Sequence, residues 1–282
     1  MKTLRYRSRG DEVYYLEEIL TKLGYEVYIS NFFGKDTQEA VKDFQSKNDL
    51  VVDGVVGLKT WTKLIAAEDS LGNFNNKFLS EQDVKDFADQ FDLELAMVKA
   101  VNEIESRGKG FLIDGRPVIL FEGHIFWREL EKRGINPSQY VSNHTKDVLY
   151  KKWTRTHYKG GSGEYDRLEK AAGISDVSSF HDAAYCSASW GAFQIMGFHY
   201  DHLGYASIDH FVSEMYEHER EHLKAFGKFI QKTSFKGKPL IDWIKEKNWA
   251  RFAEGYNGPG YKKNKYDSKL KNAYLKYSMV NS

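Results

Sequence analysis

Val101-Asn102-Glu103-Ile104-Glu105-Ser106-Arg107-Gly108 closes a run in which Met97, Ala100, Val101 and Ile104 recur at helical spacing. That pattern predicts a helix from Leu93 to about Ser106, capped by Asp92 and buried along one stripe. Two carboxylates flank the stripe. Lys99 lies one turn before Glu103 and favours its charged form. Val101 and Val98 lie one and two turns before Glu105, where partial loss of water disfavours the anion. Glu105 is therefore the better candidate for a carboxyl that keeps its proton near neutral pH and delivers it as a general acid. On the residues alone, a pair of ordinary surface glutamates is the plainer reading.

The whole chain bounds the problem. At 282 residues, two domains are expected. With 41% hydrophobic and 15% aromatic residues it is globular rather than disordered. A formal charge of +1 argues against a nucleic-acid partner. Cys186 is the single cysteine, which excludes an intrachain disulfide and gives no sign of an oxidising compartment. The charged N-terminus lacks an apolar signal core, and no apolar stretch is long enough to span a bilayer. A cytoplasmic product without membrane insertion is expected unless something else releases it. After Gly260 come Lys262, Lys263, Lys265, Lys269, Lys271 and Lys276 against one Asp267. They read either as a solvated helix face or as an attraction for an anionic polymer.

Residues 1–67 read as a small helical module. Val13, Leu16, Ile19, Leu20 and Leu23 define one face of a helix opened by Asp11, with a stop at Gly24. A second helix carries Ala40, Val41 and Phe44, and a third runs through Thr60-Trp61 to Ile65. Phe33-Gly34-Lys35-Asp36-Thr37 is echoed by Val56-Gly57-Leu58-Lys59-Thr60, and in each a Gly turn precedes a Thr placed to cap a helix, Asp36 being the alternative cap in the first. Together with Arg9-Gly10, Leu23-Gly24-Tyr25, Phe44-Gln45 and Val52-Asp53-Gly54, this set resembles the peptidoglycan-binding domain family, a three-helix wall anchor. Ser30-Asn31 stands where that family has Asp-Gly, and Glu17 where it often has Gln. Residues 68–79 have the polar, Gly- and Asn-containing composition of a linker, and Ser80 with Asp83 marks a helix start.

From 80 to 282 the pattern is helical, with a hairpin expected over Phe111–Phe121 around Asp114-Gly115. Ala100 to Phe111, Arg116-Pro117 and Leu120-Phe121-Glu122-Gly123-His124 resemble the N-acetylmuramidase domain of phage endolysins. Glu105-Ser106 is similar to the acid glutamate and serine of goose-type lysozymes and lytic transglycosylases, as are Ser187 to Gly197 and Tyr256-Asn257 to their later motifs. The resemblance implies a mainly α fold, a three-helix bundle joined to an α-rich lysozyme-like domain. It implies a glycoside hydrolase acting on the β-1,4 bond between N-acetylmuramic acid and N-acetylglucosamine. Glu105 would protonate the glycosidic oxygen, with Glu122 as a second, catalytic or orienting, carboxylate. Ser189, Gln194, Tyr256 and Asn257 would bind the sugar, and Trp190 or Phe193 would wall the cleft. The implied partner is the peptidoglycan strand, met by a monomer released through a holin pore to lyse the host. Protonation by a carboxylic acid requires no cofactor.

His218-Glu219-Arg220-Glu221-His222 matches the H-E-x-x-H pattern of zinc peptidases. No histidine follows it, so a third ligand would be a carboxylate such as Glu246 or Glu254. A packing helix of the muramidase domain is the plainer reading. A wall-binding protein without catalysis is the third alternative.

Overall fold

The computed structural model describes residues 2–70, 77–106, 110–112 and 114–280. Arg107-Gly108 of the opening motif, Lys109 after it, Ile113 of the expected hairpin and residues 71–76 of the expected linker lie outside them. The chain divides into two compact units, residues 1–76 with 113–116, and residues 77–112 with 117–282.

The first unit is built on three helices, α1 (Asp11–Lys22), α2 (Lys35–Lys47) and α3 (Leu58–Ser70). The apolar faces read from periodicity meet as its core: Val13, Leu16, Ile19, Leu20, Val41, Phe44, Trp61 and Leu64 are all buried. Each such side chain contributes on the order of 2 kcal/mol. The Trp61 indole donates to the Lys2 carbonyl at 3.0 Å and stacks on Tyr15, fixing the N-terminal strand of chain to α3. The two echoed threonines do not cap their helices. Gly34 is the N-cap of α2, with no side-chain cap, and Thr37 turns inward to donate to Glu17 at 3.0 Å. Thr60 likewise turns inward, where Gln45 donates to it at 3.3 Å. The repeat thus encodes a buried hydrogen bond from each helix to the one before it. The two departures from the family pattern also meet, since the Ser30 amide donates to the Glu17 carboxylate at 2.7 Å.

The second unit is mainly helical around one core. A capping box at Ser80 and Asp83 opens α4 (Glu81–Phe91). Asp92 is the left-handed C-cap of α4 (φ 52°), so it does not open the next helix, α5 (Leu95–Val101). A short polar side chain tolerates that conformation, and the helix period alone could not tell which helix it bounds. The α-helix then widens into one π-turn, Asn102–Ser106.

Strand β1 (Ile119–Phe121) leads into α6 (Gly123–Lys132); α7 (Gly163–Ala172), α8 (Ser178–Cys186), β2 (Ala188–Trp190) and β3 (Ile195–Met196) follow. The order β1-β2-β3 is antiparallel, with Ile119 opposite Trp190 and Trp190 opposite Ile195. Among the described residues the expected hairpin closes through a bridge between Phe111 and Pro117 and the bond from the Val118 amide to Gly110. Its second arm pairs instead with β2, a partner nearly seventy residues away that no local turn signal reveals. A buried Glu164–Arg167 pair ties α7 to β1: Arg167 donates to the Phe121 carbonyl at 2.8 Å, and the Phe121 amide donates to Glu164.

Helices α9 (Ile208–Glu217) and α10 (Glu219–Lys232) precede a two-strand ribbon, β4 (Ser234–Phe235) and β5 (Lys238–Pro239). Helices α11 (Leu240–Lys245), α12 (Trp249–Asn257), α13 (Tyr261–Asn264) and α14 (Tyr266–Val280) complete the unit. Helix α14 packs along α5 and its π-turn, so the end of the chain braces the segment that carries Glu105. Among the described residues no helix is long and apolar enough to cross a membrane.

Candidate active site

An open cavity of about 580 Å³ lies in the second unit, lined by Glu105, Gln194, Tyr256 and Asn257 among others. Three separate stretches deliver these four side chains. The π-turn delivers Glu105, which is half-buried. A π-turn inserts one residue into the helical repeat, and such turns recur at functional sites. Asn257, the last residue of α12, donates from Nδ2 to Oε1 of Glu105 at 3.1 Å.

Gln194 comes from the tight turn between β2 and β3. It adopts φ 51°, and Gly191 at the start of that turn adopts φ 70°. The Gln194 side chain is held on both ends: Nε2 donates to the carbonyls of Val118 (3.1 Å) and Gly191 (2.9 Å), while Ser189 donates to Oε1 at 2.7 Å. Its amide plane is therefore fixed before any ligand arrives.

Tyr256 donates its hydroxyl to the Phe193 carbonyl at 2.8 Å, and its ring packs against Phe226, Phe229 and Phe252. Burial, and then the nearby charge of Glu105, push that hydroxyl well above the usual tyrosine range. It stays a neutral donor at every working pH. Phe193 is buried against Phe226 and shows part of its surface to the cavity.

Other expected residues lie elsewhere. Trp190 is 1% exposed, packed between Tyr165 and Tyr185 with its indole bonded to the Tyr185 carbonyl at 3.2 Å. It does not wall the cleft, because every residue of β2 is buried and simple alternation fails there. Ser189 reaches the site only through Gln194. Glu122, the residue between β1 and α6, lies outside the cavity lining and accepts from the Tyr158 hydroxyl at 2.7 Å. Burial pushes its carboxyl above the ordinary range. Its Oε2 lies 3.2 Å from His124 Nδ1, although neither atom has a hydrogen-bond partner among the described residues.

Glu103 is the charged member of the first pair, but Lys99 is not the cause. Lys276 at 2.7 Å and Tyr277 at 2.6 Å hold it below the usual carboxylate range, while Lys99 pairs with Glu81. Sequence reasoning missed Tyr266, His199 and Phe229, which also line the cavity and belong to none of the recognised motifs. Burial first, then the charges of His202 and Lys132, bring His199 down to about 4, so it faces the cleft as a neutral ring.

The H-E-x-x-H stretch is occupied by structural bonds. His218 is the N-cap of α10, accepting from the Arg220 amide. Glu219 accepts from the amides of Gly110 and Leu79. His222 accepts from the Ala192 amide at 3.1 Å and donates to the Met215 carbonyl at 2.7 Å. Its imidazole is thereby fixed as the Nε2–H tautomer under the turn that carries Gln194. Among the described residues no group of three or more metal-ligating side chains converges.

One glutamate at a helix end, a glutamine turn and a Tyr-Asn helix terminus thus share one cavity in a helical frame. The N-acetylmuramidase family model matches residues 94–278, and a peptidoglycan binding domain model matches residues 9–64. The chain belongs to the N-acetylmuramidase family. It is similar throughout to a solved structure titled "Crystal structure of Burkholderia AP3 phage endolysin", with 40% identity, full coverage of both chains and a TM-score of 0.66.

Proposed function

We propose that this muramidase works as an endolysin. The N-terminal module, ending with α3, holds peptidoglycan, and the catalytic module, starting at Ser80, cleaves the β-1,4 bond between N-acetylmuramic acid and N-acetylglucosamine. Glu105 gives its proton to the departing glycosidic oxygen. The observation that carries this reading is the convergence of Glu105, Gln194, Tyr256 and Asn257 on one cavity, with Asn257 bonded to the carboxyl of Glu105. Gln194 and Tyr256 bind the sugar or its acetamido groups from fixed positions. Ser189 acts by holding Gln194, and Trp190 by anchoring β2.

Glu122 is assigned an orienting role, since it joins the end of β1 to Tyr158 without reaching the cavity lining. Glu122→Gln, which keeps the shape, is expected to retain the sugar-binding constant while turnover falls. Wild-type turnover in that variant removes Glu122 from the mechanism.

Glu105→Gln decides the main reading. Removal of a general acid costs on the order of 10²- to 10⁴-fold, so release of reducing ends from sacculi should all but vanish while binding to sacculi persists. Undiminished release would end the proposal. A zinc peptidase would instead be stopped by chelator and would liberate amino groups; treatment with EDTA is expected to leave reducing-end release intact. In the cell, the enzyme is proposed to reach the wall through a holin pore as a monomer and to lyse the host. Light scattering of the purified protein tests the monomer, and co-expression with and without a holin tests the release.

A further inference from the structure

Asn257 and Tyr266 both line the cleft, and the chain between and just beyond them carries lysines that the glycosidase chemistry does not use. Four residues after Asn257, the chain enters α13, and Lys262, Lys263, Lys265 and Lys269 follow, all exposed. Their neighbours bind them to the site: Tyr266 lines the cavity and the Lys269 ammonium lies 5.6 Å from its ring centroid, while Lys262 lies 6.0 Å from that of buried Tyr261.

The other two lysines of the tail are committed elsewhere. Lys276 pairs with Glu103 at 2.7 Å, and Lys271 lines a separate hollow with Asp267 and Glu246. None of the four rim lysines forms an ion pair among the described residues. An uncompensated row of ammonium groups at the mouth of a cleft attracts anions and concentrates them there.

We propose that Lys262, Lys263, Lys265 and Lys269 read the carboxylates of the peptide stems carried by the glycan strand in the cleft. This rests on the muramidase reading of that cleft. A muramic acid residue bears its peptide through a lactyl ether, so a strand laid past Glu105 must direct carboxylate-bearing chains outward at the rim. The N-acetylated rings carry no charge, and the lactyl carboxyl is masked as the amide that holds the stem, so on an intact strand only the stems supply charge complementary to this row. The arrangement makes the rim a selector for stem-bearing strands, additional to the sugar contacts in the cavity.

The test compares kcat/KM on two substrates, intact sacculi and sacculi whose stem carboxylates have been capped as neutral amides with carbodiimide and glycinamide. The probe is a variant with all four lysines changed to Gln, beside one with all four changed to Arg. Exposed positions of this kind tolerate both changes without unfolding, which circular dichroism checks. The Gln variant is expected to lose about tenfold on intact sacculi, at least severalfold more than on capped sacculi, with the Arg variant restored. Rising salt should erase the wild-type preference for intact sacculi.

Equal losses on both substrates, or no loss on intact sacculi, overturn the proposal. So does a variant that loses binding to phosphatidylglycerol vesicles while its turnover of sacculi stays intact, which would make the row a lipid contact. Absence of reducing ends from wild-type protein on either substrate would instead sink the muramidase reading itself.

Discussion

At the scale of single residues, the hydrogen bond from Asn257 to Glu105 separates two roles that the sequence could not. Read from the motif, Asn257 is a sugar-binding amide; in the fold its Nδ2 donates to the carboxyl of Glu105, as expected of a group that orients that carboxyl. A hydrogen bond between uncharged groups contributes about 0.5–1.5 kcal/mol net. Asn257→Ala is therefore expected to lower kcat by about 2- to 10-fold with little change in KM. A change confined to KM, measured by reducing-end kinetics on sacculi, would return Asn257 to the sugar and leave Glu105 oriented by other contacts. Four site residues were legible as pieces of ordered motifs, and they line one cavity. Tyr266 and His199 were not, because they enter through the packing of α14 and of the turn after β3, and no local spacing marks them. Trp190 was misplaced for a related reason: an aromatic beside a Gly turn reads as a cleft wall unless the burial of both faces of β2 is known.

Among the elements, the turn between β2 and β3 shows how tightly the site is built. Gly191 has φ 70°, and a Cβ there would sit 2.8 Å from the His222 ring. Gly191→Ala thus meets both an unfavourable backbone region, costing about 1–2 kcal/mol, and a buried ring that is itself bonded on both nitrogens. The expected outcome is a fall in Tm of several degrees together with loss of turnover, because Gln194 rides on the same turn. A variant with wild-type Tm and activity would show that the turn can move without consequence. The periodicity of α1, α2 and α3 was readable, since each buries a face of ordinary amphipathic character. The π-turn was not, because one extra residue in a helical repeat leaves the apolar spacing of Met97, Ala100 and Val101 untouched. The pairing of β1 with β2 was likewise invisible: Asp114-Gly115 announces a turn, while the strand partner is chosen by burial far along the chain.

For the molecule as a whole, the two modules follow from composition and motif, but its response to acid depends on buried groups whose surroundings only the fold supplies. His222 is 1% exposed, and burial, only partly offset by its bond to Met215, brings it down to about 4 from an ordinary 6.5. Because the folded state refuses a proton that the unfolded chain accepts, the unfolded state gains as pH falls from about 6.5 to about 4. That window removes about 3 kcal/mol of stability, a large part of the few to fifteen kcal/mol that hold such a domain together. Asp83 acts in a lower window. Burial alone would raise it, yet the Arg220 and Ser80 bonds prevail and hold it at about 2. Its stabilisation is complete above about 3.8 and is lost as pH drops through about 2. Chemical unfolding of the full chain at pH 7, 5.5 and 4 should therefore reveal falling stability well before any carboxylate pair is broken. His222→Gln keeps a donor and an acceptor but cannot titrate, so it should start less stable at pH 7 and lose less on acidification, the remainder coming from His199, which burial also brings to about 4. If wild type and His222→Gln lost stability in parallel over that range, the buried imidazole would not be the group that limits this enzyme in acid.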